Sequence, residues 1–184
     1  RVCTVISGET EAHVQTFIDI YHANMRRVDA NESYFFDEDY FYQILASPDF
    51  ETELSLAICN ETEEIIAGAL FVKTKDIVQY HLSGIREEFL HVNPIKLIID
   101  DMRIKAKSEG YAYFNLGGGR ANKRDSLFNF KLSFSKSLKP FKLWKYICNE
   151  EAYRDLVLRQ KQLEEKVVLE TDEDFFPAYR RTVT

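Results

Sequence analysis

The sequence of 184 residues is poor in cysteine and lacks any hydrophobic stretch of membrane-spanning length. Its three cysteines, Cys3, Cys59 and Cys148, are far apart, form no CxxC pair and have no ligand spacing with the four histidines. This pattern argues against a disulfide framework and a zinc site, so we expect no bound metal and a reducing, cytoplasmic location. The longest clear apolar run, Ile65 to Val72, is far shorter than the roughly 18 residues that a membrane-spanning helix needs.

The start of the chain also lacks a secretion signal, because no basic segment is followed there by an apolar one. The chain opens on Arg1 rather than Met, from which we expect that it is the C-terminal half of a longer two-domain protein. Its length and its apolar fraction of 45% predict one domain over residues 1–184, with a C-terminal tail at 167–184.

Several well-known catalytic and nucleotide-binding motifs are missing. The glycines Gly117, Gly118 and Gly119 form neither a Walker A loop nor a GxGxxG fingerprint. No GxSxG motif, HExxH motif or paired-carboxylate arrangement is present either. Any chemistry therefore has to come from a less familiar arrangement of residues.

Hydrophobic periodicity predicts the element order β-α-α-β-β-β-α-β-α-β, followed by a final helix. The expected strands are residues 1–7, 53–59, 65–72, 77–83, 111–116 and 141–148, and the clearest helices are residues 9–28, 38–46, 94–109 and 151–166. Asn93 and Asp125 are suitable N-caps, and Gly110 suits the end of a helix. This order predicts an α+β fold with a central mixed, mostly antiparallel sheet flanked by helices, including one right-handed crossover.

Charge is distributed unevenly along the chain. Residues 1–66 carry 14 acids and 3 bases, whereas residues 117–146 carry 8 bases and 1 acid. The basic segment has two interpretations, a solvated surface or a site for an anionic group.

Lys131 occupies an unusual position in the segment DSLFNFKLSFS. Stepping about 100° per residue around a helix places it between Phe128 and Phe134, within the apolar arc. Either its stem packs while its ammonium reaches water, or the cation is held in a cleft beside an anion or a developing oxyanion. The glycines at 117–119 favour the cleft, because they follow a strand end and permit close backbone approach.

Two further groups of residues are candidates for a pocket. Strand alternation places Gln79, His81 and Ser83 on one face of residues 77–83, with Tyr80 on the other. A histidine in such a place is more often structural than a base. Tyr34 belongs to an aromatic cluster that is core by default, but it is also suited to wall a pocket.

Several stretches together resemble a known family. They are Tyr34-Phe35-Phe36, YHLSG at 80–84, NPIKLIIDDMRIKAKSEGY at 93–111, LGGG at 116–119 with DSLFNFKLSFS at 125–135, and FFPAYR at 175–180. The element order and these stretches resemble the GNAT acyltransferase superfamily. Within it they are most similar to the FemABX-like peptidoglycan-bridge aminoacyltransferases and to BioF-type acetyltransferase-like proteins.

The resemblance implies a GNAT-like (acyl-CoA N-acyltransferase) fold and acyl transfer to an amine. In FemABX-like enzymes the donor is an aminoacyl-tRNA and the acceptor is an amino group of a peptidoglycan precursor peptide. Lys131 corresponds to their catalytic lysine, which stabilises the transition state, and Phe130 would line the acyl site. The other candidate substrate-binding residues are Tyr34, Tyr80, His81, Ser83, Gly117, Gly118, Gly119 and Arg120.

Two alternatives remain open beside this hypothesis. The first is an N-acetyltransferase that uses acetyl-CoA, again with no permanently bound cofactor. Against it, the loop GIREEFLHVNP at 84–94 has one glycine and the acids Glu87 and Glu88, where acetyl-CoA enzymes of this superfamily normally carry a Q/R-x-x-G-x-G/A loop. The second alternative is a non-catalytic domain that binds a cell-wall precursor or tRNA.

Overall fold

A computed structural model describes residues 2–119, 124–164 and 176–180. The chain divides into two compact units, residues 1–136 and residues 137–184. The first unit contains a five-stranded sheet, and the described part of the second unit contains one helix and one short 3₁₀ turn.

The sheet of the first unit has the strand order β1-β2-β3-β4-β5. Its first three pairings are antiparallel and the β4–β5 pairing is parallel, which confirms the predicted mixed sheet. The strands are β1 (Cys3–Ser7), β2 (Glu51–Cys59), β3 (Ile65–Thr74), β4 (Ile77–Ile85) and β5 (Tyr113–Asn115). The helices are α1 (Glu11–Arg27), α2 (Glu38–Leu45), α3 (Pro94–Ser108), α4 (Ser126–Leu132) and, in the second unit, α5 (Glu150–Glu164).

The predicted helix ends are only partly confirmed. The Asp125 carboxylate accepts a hydrogen bond from the Phe128 N–H at 2.8 Å, so it caps α4 as expected. Gly110 follows α3 with a φ of 87°, the left-handed conformation that ends many helices. Asn93, in contrast, does not cap α3 with its side chain, because its amide donates to the carbonyl of His91 at 3.4 Å instead.

Helices cover both faces of the sheet. One buried cluster joins α1 and α2 to the sheet through Phe17, Tyr21 and Phe41, and another joins α3 through Ile98 and Met102. Close approach of α1 depends on glycine. A Cβ at Gly84 would lie 2.9 Å from the Cα of Tyr21, so a larger residue there would push the helix away from β4.

A β-bulge interrupts β4 at His81. Leu82 pairs with Leu70 and Tyr80 pairs with Phe71, so His81 is the additional residue on this strand. As a result Tyr80 lies on the α3 face while Leu82 packs with α1. The expected grouping of Ser83 with His81, opposite Tyr80, is therefore wrong, because one inserted residue reverses the alternation beyond it.

The strand expected at 141–148 is absent. These residues have no regular secondary structure, and Phe141 and Trp144 expose 78% and 89% of their surface. A strand needs a neighbouring strand to complete its hydrogen bonds. The described part of the second unit contains none. The predicted extension of the last helix to residue 166 lies outside the described residues.

Within the described parts of the chain, no helix combines the length and the apolar character that crossing a membrane requires.

Candidate active site

Strands β4 and β5 pair over only three residue pairs, after which β5 ends. The last pair is Gln79 with Asn115, where β5 ends. Strand β4 continues for six more residues to Ile85, with the bulge at His81 immediately beyond the paired region. Among the described residues, this section of β4 has no strand on its β5 side. We call the side of β4 beyond Gln79 that faces away from β3 the gap; it lies at the carboxyl ends of the two parallel strands, the usual place for ligands at the edge of a parallel pair.

Helix α4 places the ammonium of Lys131 at this gap. Its Nζ donates a hydrogen bond to the carbonyl of Gly118 at 2.9 Å and lies 5.7 Å from the ring centroid of Tyr80. Gly117 has a φ of 73°, and a Cβ there would lie 3.3 Å from the Lys131 Nζ. The first two glycines of the LGGG segment thus form the wall against which the lysine packs.

Partial burial alters the acidity of this lysine. Loss of hydration lowers the pKa of Lys131, although the nearby charge of Asp125 opposes the shift. Phe130 packs into the same buried cluster as α3 and makes an edge-to-face contact with Phe134 at 5.3 Å. These phenylalanines hold α4 against the sheet, which restricts the position of the ammonium at its end.

The α3 side of the gap carries a second polar group. Tyr80 is 8% exposed and its hydroxyl donates to the hydroxyl oxygen of Ser83. Burial raises the pKa of Tyr80 to about 12, so it is a neutral hydrogen-bonding group at physiological pH. The bulge at His81 makes this contact possible, because it brings residues 80 and 83 onto one face.

His81 itself lies on the opposite side, against α2. Its Nε2 is 2.6 Å from the hydroxyl of Tyr40, whose ring stacks on Phe36 at 4.2 Å. Loss of hydration lowers the pKa of His81, which favours the neutral imidazole, and burial raises the pKa of Tyr40. The sequence pattern did not single out Tyr40, since its contact with His81 depends on the bulge.

The remaining candidate residues are less closely connected to the gap. Tyr34 is 46% exposed in a 3₁₀ turn, and its carbonyl accepts a hydrogen bond from the buried Tyr21 hydroxyl at 2.9 Å. Among the described residues, no hydrogen bond or ring contact joins Tyr34 to Lys131 or His81. Gly119 is half-buried at the end of the described segment, and Arg120 lies outside the described residues.

The fold and this gap define a class of protein. A mixed five-stranded sheet with one parallel pair among the described strands, which stops pairing at a candidate ligand site, matches the architecture of a GNAT-fold acyltransferase. The sequence matches the profile of the Acetyltransferase (GNAT) domain over residues 2–131, from the strand β1 to Lys131. The chain therefore belongs to the GNAT acetyltransferase domain family, and it is an acyltransferase.

Solved structures agree with this fold. An aminoglycoside acetyltransferase from an uncultured soil metagenomic sample matches with a TM-score of 0.59 and 10% identity, over 80% of this chain and 97% of its own. A putative acetyl transferase from Pyrococcus furiosus matches with a TM-score of 0.57 and 14% identity, over 79% and 99%. A ribosomal-protein-alanine N-acetyltransferase from Brucella melitensis biovar Abortus 2308 has a TM-score of 0.57 and 10% identity, over 81% and 99%.

No curated protein sequence matches this chain significantly. The comparisons confirm the predicted fold and enzyme class. They do not distinguish the FemABX-like or BioF-type branch, and they carry no support for a charged tRNA or a peptidoglycan precursor as substrate.

Proposed function

We propose that the protein is an N-acetyltransferase that moves an acetyl group from acetyl-CoA to an amine, with no permanently bound cofactor. The observation that carries this proposal is the ammonium of Lys131 at the gap between β4 and β5. The family match supports acetyl transfer, since its description is that of an acetyltransferase domain, as are the names of the aminoglycoside and ribosomal-protein-alanine acetyltransferases among the structural neighbours.

The gap suits the donor because β4 offers backbone groups there. Beyond Gln79, the strand presents N–H and C=O groups on its β5 side that no described strand uses. The pantetheine arm of coenzyme A carries two amides, which are suited to pair with such an edge. Its thioester would then lie near the ring of Tyr80 and the ammonium of Lys131.

Lys131 supplies a positive charge where the reaction develops a negative one. Attack of an amine on the thioester carbon produces a tetrahedral intermediate with an oxyanion. An ammonium has three N–H donors, and the carbonyl of Gly118 accepts one of them in the structure. A fixed donor of this kind contributes about 2.7–4 kcal/mol to transition-state stabilisation.

The pair of Tyr40 and His81 offers a route for the proton that the amine must lose. The Tyr40 hydroxyl lies within hydrogen-bond distance of the His81 Nε2. As Tyr40 accepts the proton of the attacking amine, its own proton passes to the neutral imidazole. His81 would thus act through Tyr40. Tyr40 packs on the α1–α2 side of the sheet and His81 reaches it there, so the acceptor would approach from that side.

One observation favours a second donor, aminoacyl-tRNA, as in FemABX-like enzymes that modify peptidoglycan precursors. The 3₁₀ turn before α3 carries Glu87 and Glu88 at its start, and these charges oppose binding of coenzyme A phosphates near that helix end. The basic segment 117–146 would supply the attraction for a nucleic acid.

The role of Lys131 is tested by measuring release of free coenzyme A thiol with acetyl-CoA and a panel of amines. We expect Lys131→Met to lower kcat by about 10²–10³, the cost of one lost oxyanion donor, with little change in donor binding. Lys136→Met is the matched control, since Lys136 is an exposed lysine just beyond α4. Wild-type turnover by Lys131→Met would contradict the proposed role.

The donor is tested separately by direct binding. Acetyl-CoA should raise the melting temperature of the wild-type protein, whereas filter binding should detect no specific retention of aminoacyl-tRNA. Retention of charged tRNA that weakens steeply with salt, without any stabilisation by acetyl-CoA, would favour the FemABX-like donor instead.

A further inference from the structure

Two of the three cysteines meet across the edge of the sheet. Cys3 on β1 and Cys59 at the end of β2 are direct partners in an antiparallel ladder whose register is continuous from Ser7–Ser55 onward. Both are 4% exposed, and both belong to the buried cluster on the α3 face, so their side chains share one side of the sheet. Their separation of 56 positions in the sequence conceals this pairing.

The geometry of such a pair is compatible with a disulfide. Directly opposed residues in an antiparallel ladder have Cα atoms about 4.5–5.5 Å apart, and their Cβ atoms are similarly close. A disulfide joins Cα atoms that are about 4.4–6.8 Å apart. A disulfide holds its Cβ atoms about 3.5–4.5 Å apart, so the two residues have to approach slightly, but the bridge forms within the existing register.

The surroundings of the two sulfurs differ. The N–H groups of Thr62 and Glu61 and the Thr62 hydroxyl belong to the turn that follows Cys59. The turn that supplies these donors is held by the hydrogen bonds from Cys59 N to Glu64 O, at 2.9 Å, and from Glu63 N to Cys59 O, at 2.8 Å. These donors lower the pKa of Cys59, while burial and the nearby Cys59 raise the pKa of Cys3.

We propose that Cys3 and Cys59 form a redox-active pair, in which a peroxide oxidises Cys59 first and Cys3 then closes a cross-strand disulfide. The polar groups of the turn after Cys59 favour its thiolate, which is the reactive form, and Cys3, its direct partner in the ladder, is placed to resolve the product.

The reaction is balanced with hydrogen peroxide as the oxidant. The Cys59 thiolate attacks one peroxide oxygen, the O–O bond breaks, and hydroxide leaves to give a sulfenic acid. The Cys3 sulfur then attacks the Cys59 sulfur, its S–O bond breaks, and water leaves with the Cys3 proton. Two thiols lose two electrons in total, and one peroxide is reduced to two waters.

Oxidation should stabilise the fold without altering acyl transfer. Strand β1 is at one edge of the sheet and β5, which borders the gap at Lys131, is at the other. A bond between β1 and β2 would secure the edge strand and restrict the unfolded chain. The proposal is therefore independent of the proposed substrate and of the role of Lys131.

The test uses the full chain carrying Cys148→Ser, which removes the exposed third thiol. After treatment with hydrogen peroxide, free thiols are alkylated under denaturing conditions and the protein is digested without reduction. We expect a linked peptide that contains Cys3 and Cys59, a melting temperature that rises, and reversal of both changes by dithiothreitol. Recovery of both cysteines as alkylated thiols, or as separately oxidised residues, would overturn the proposal.

The order of the steps is tested by two conservative variants, each in the Cys148→Ser background. With Cys3→Ser, dimedone should trap a sulfenic acid on Cys59, because no resolving thiol is present. With Cys59→Ser, Cys3 should remain reduced under the same treatment. Faster oxidation of Cys3 in the second variant than of Cys59 in the first would contradict the assignment of Cys59 as the attacking thiol.

Discussion

Lys131 owes its position to its immediate neighbours in the fold. Phe130 and Phe134 fix the helix that carries it, and Gly118 accepts its hydrogen bond at 2.9 Å. Gly117 permits the approach, since it has a φ of 73° and lacks the Cβ that would contact the ammonium. At the scale of the residue, the site thus depends on a glycine as much as on a charged side chain.

The first prediction concerns Gly117→Ala. The new Cβ would be strained at positive φ, by about 1–2 kcal/mol, and would lie 3.3 Å from the Lys131 Nζ. We expect loss of both stability and activity, measured by urea unfolding and by thiol release. Gly110→Ala is the matched control, because Gly110 has a φ of 87° with nothing within 4 Å of the added Cβ. It should lose stability alone, and an equal loss of activity in both variants would contradict the proposed contact.

The second prediction concerns the pH dependence of acyl transfer. The pKa of His81 lies below its ordinary value, so wild-type kcat/KM should rise through that lowered pKa and then reach a plateau. We expect His81→Gln to abolish this rise at acidic pH and to lower the plateau value of kcat/KM by about 10²–10⁴. Tyr40→Phe should lower the plateau by a similar factor. His91→Gln, at an exposed histidine, should leave the profile unchanged. If the rise of kcat/KM at acidic pH persisted in His81→Gln, it would have to come from the titration of another group.

At the scale of the element, the bulge in β4 separates two functions of one strand. Before His81, β4 pairs with β5 and closes the sheet. Beyond this paired region, the strand instead directs Tyr80 and Ser83 to one face and the His81 imidazole to Tyr40 on the other. A bulge adds a residue without breaking the ladder to β3, which is why the core survives this change of direction.

The third prediction concerns the segment at 141–148. Trp144 is the single tryptophan of the sequence and is 89% exposed, stacked on Tyr146 at 5.6 Å. Its fluorescence should therefore be red-shifted, as for an indole in water, and acrylamide should quench it about as efficiently as it quenches free tryptophan. A blue-shifted emission that resists quenching would show that the segment is packed, as the expected strand would be.

At the scale of the molecule, a network of ion pairs around the buried Lys73 joins strands β2 and β3 to α3. Lys73 is 2% exposed, and its Nζ lies 2.8 Å from Glu53, 2.9 Å from Glu109 and 3.2 Å from Glu51. Lys105 reaches Glu53 as well, at 2.7 Å. These residues come from the neighbouring strands β2 and β3 and from the C-terminal end of α3, so the network joins α3 to two strands that are distant from it in sequence.

The fourth prediction follows from this network. Lys73→Met should destabilise the fold by about 1–3 kcal/mol in urea unfolding at neutral pH, because Glu53 loses its buried cation and keeps the half-exposed Lys105 at 2.7 Å. The control is Arg103→Met, which breaks an exposed pair with Asp100 and should cost at most about 1 kcal/mol. An equal loss of unfolding free energy in the two variants would contradict the larger contribution that we assign to the buried Lys73.

The network also predicts how stability varies with pH. Burial alone would raise the pKa of Glu53, but hydrogen bonds from Lys105 and Lys73 outweigh it and lower the pKa. The ionised carboxylate therefore stabilises the fold at neutral pH, and this stabilisation is lost as the pH falls through the lowered pKa. The difference between wild type and Lys73→Met should accordingly shrink in acid.

The sequence by itself determined most of the elements and the special position of Lys131. Periodicity located the five strands of the sheet and the helices α1 to α4 within a few residues, because each amphipathic pattern must bury its apolar side locally. The same pattern, with the strand and glycines before it, placed Lys131 at a strand end. The resemblance carried by the LGGG and FK stretches pointed to the GNAT fold that the profile match confirms.

Only the tertiary structure decided which residues meet across the sheet. The bulge at His81, its contact with Tyr40 and the pairing of Cys3 with Cys59 each depend on strand register. Register is set by which side of each strand has to be buried against the helices. The two residues that end up opposite each other do not determine it. For the same reason the alternating segment at 141–148 did not become a strand, since a strand exists only where another offers its hydrogen bonds.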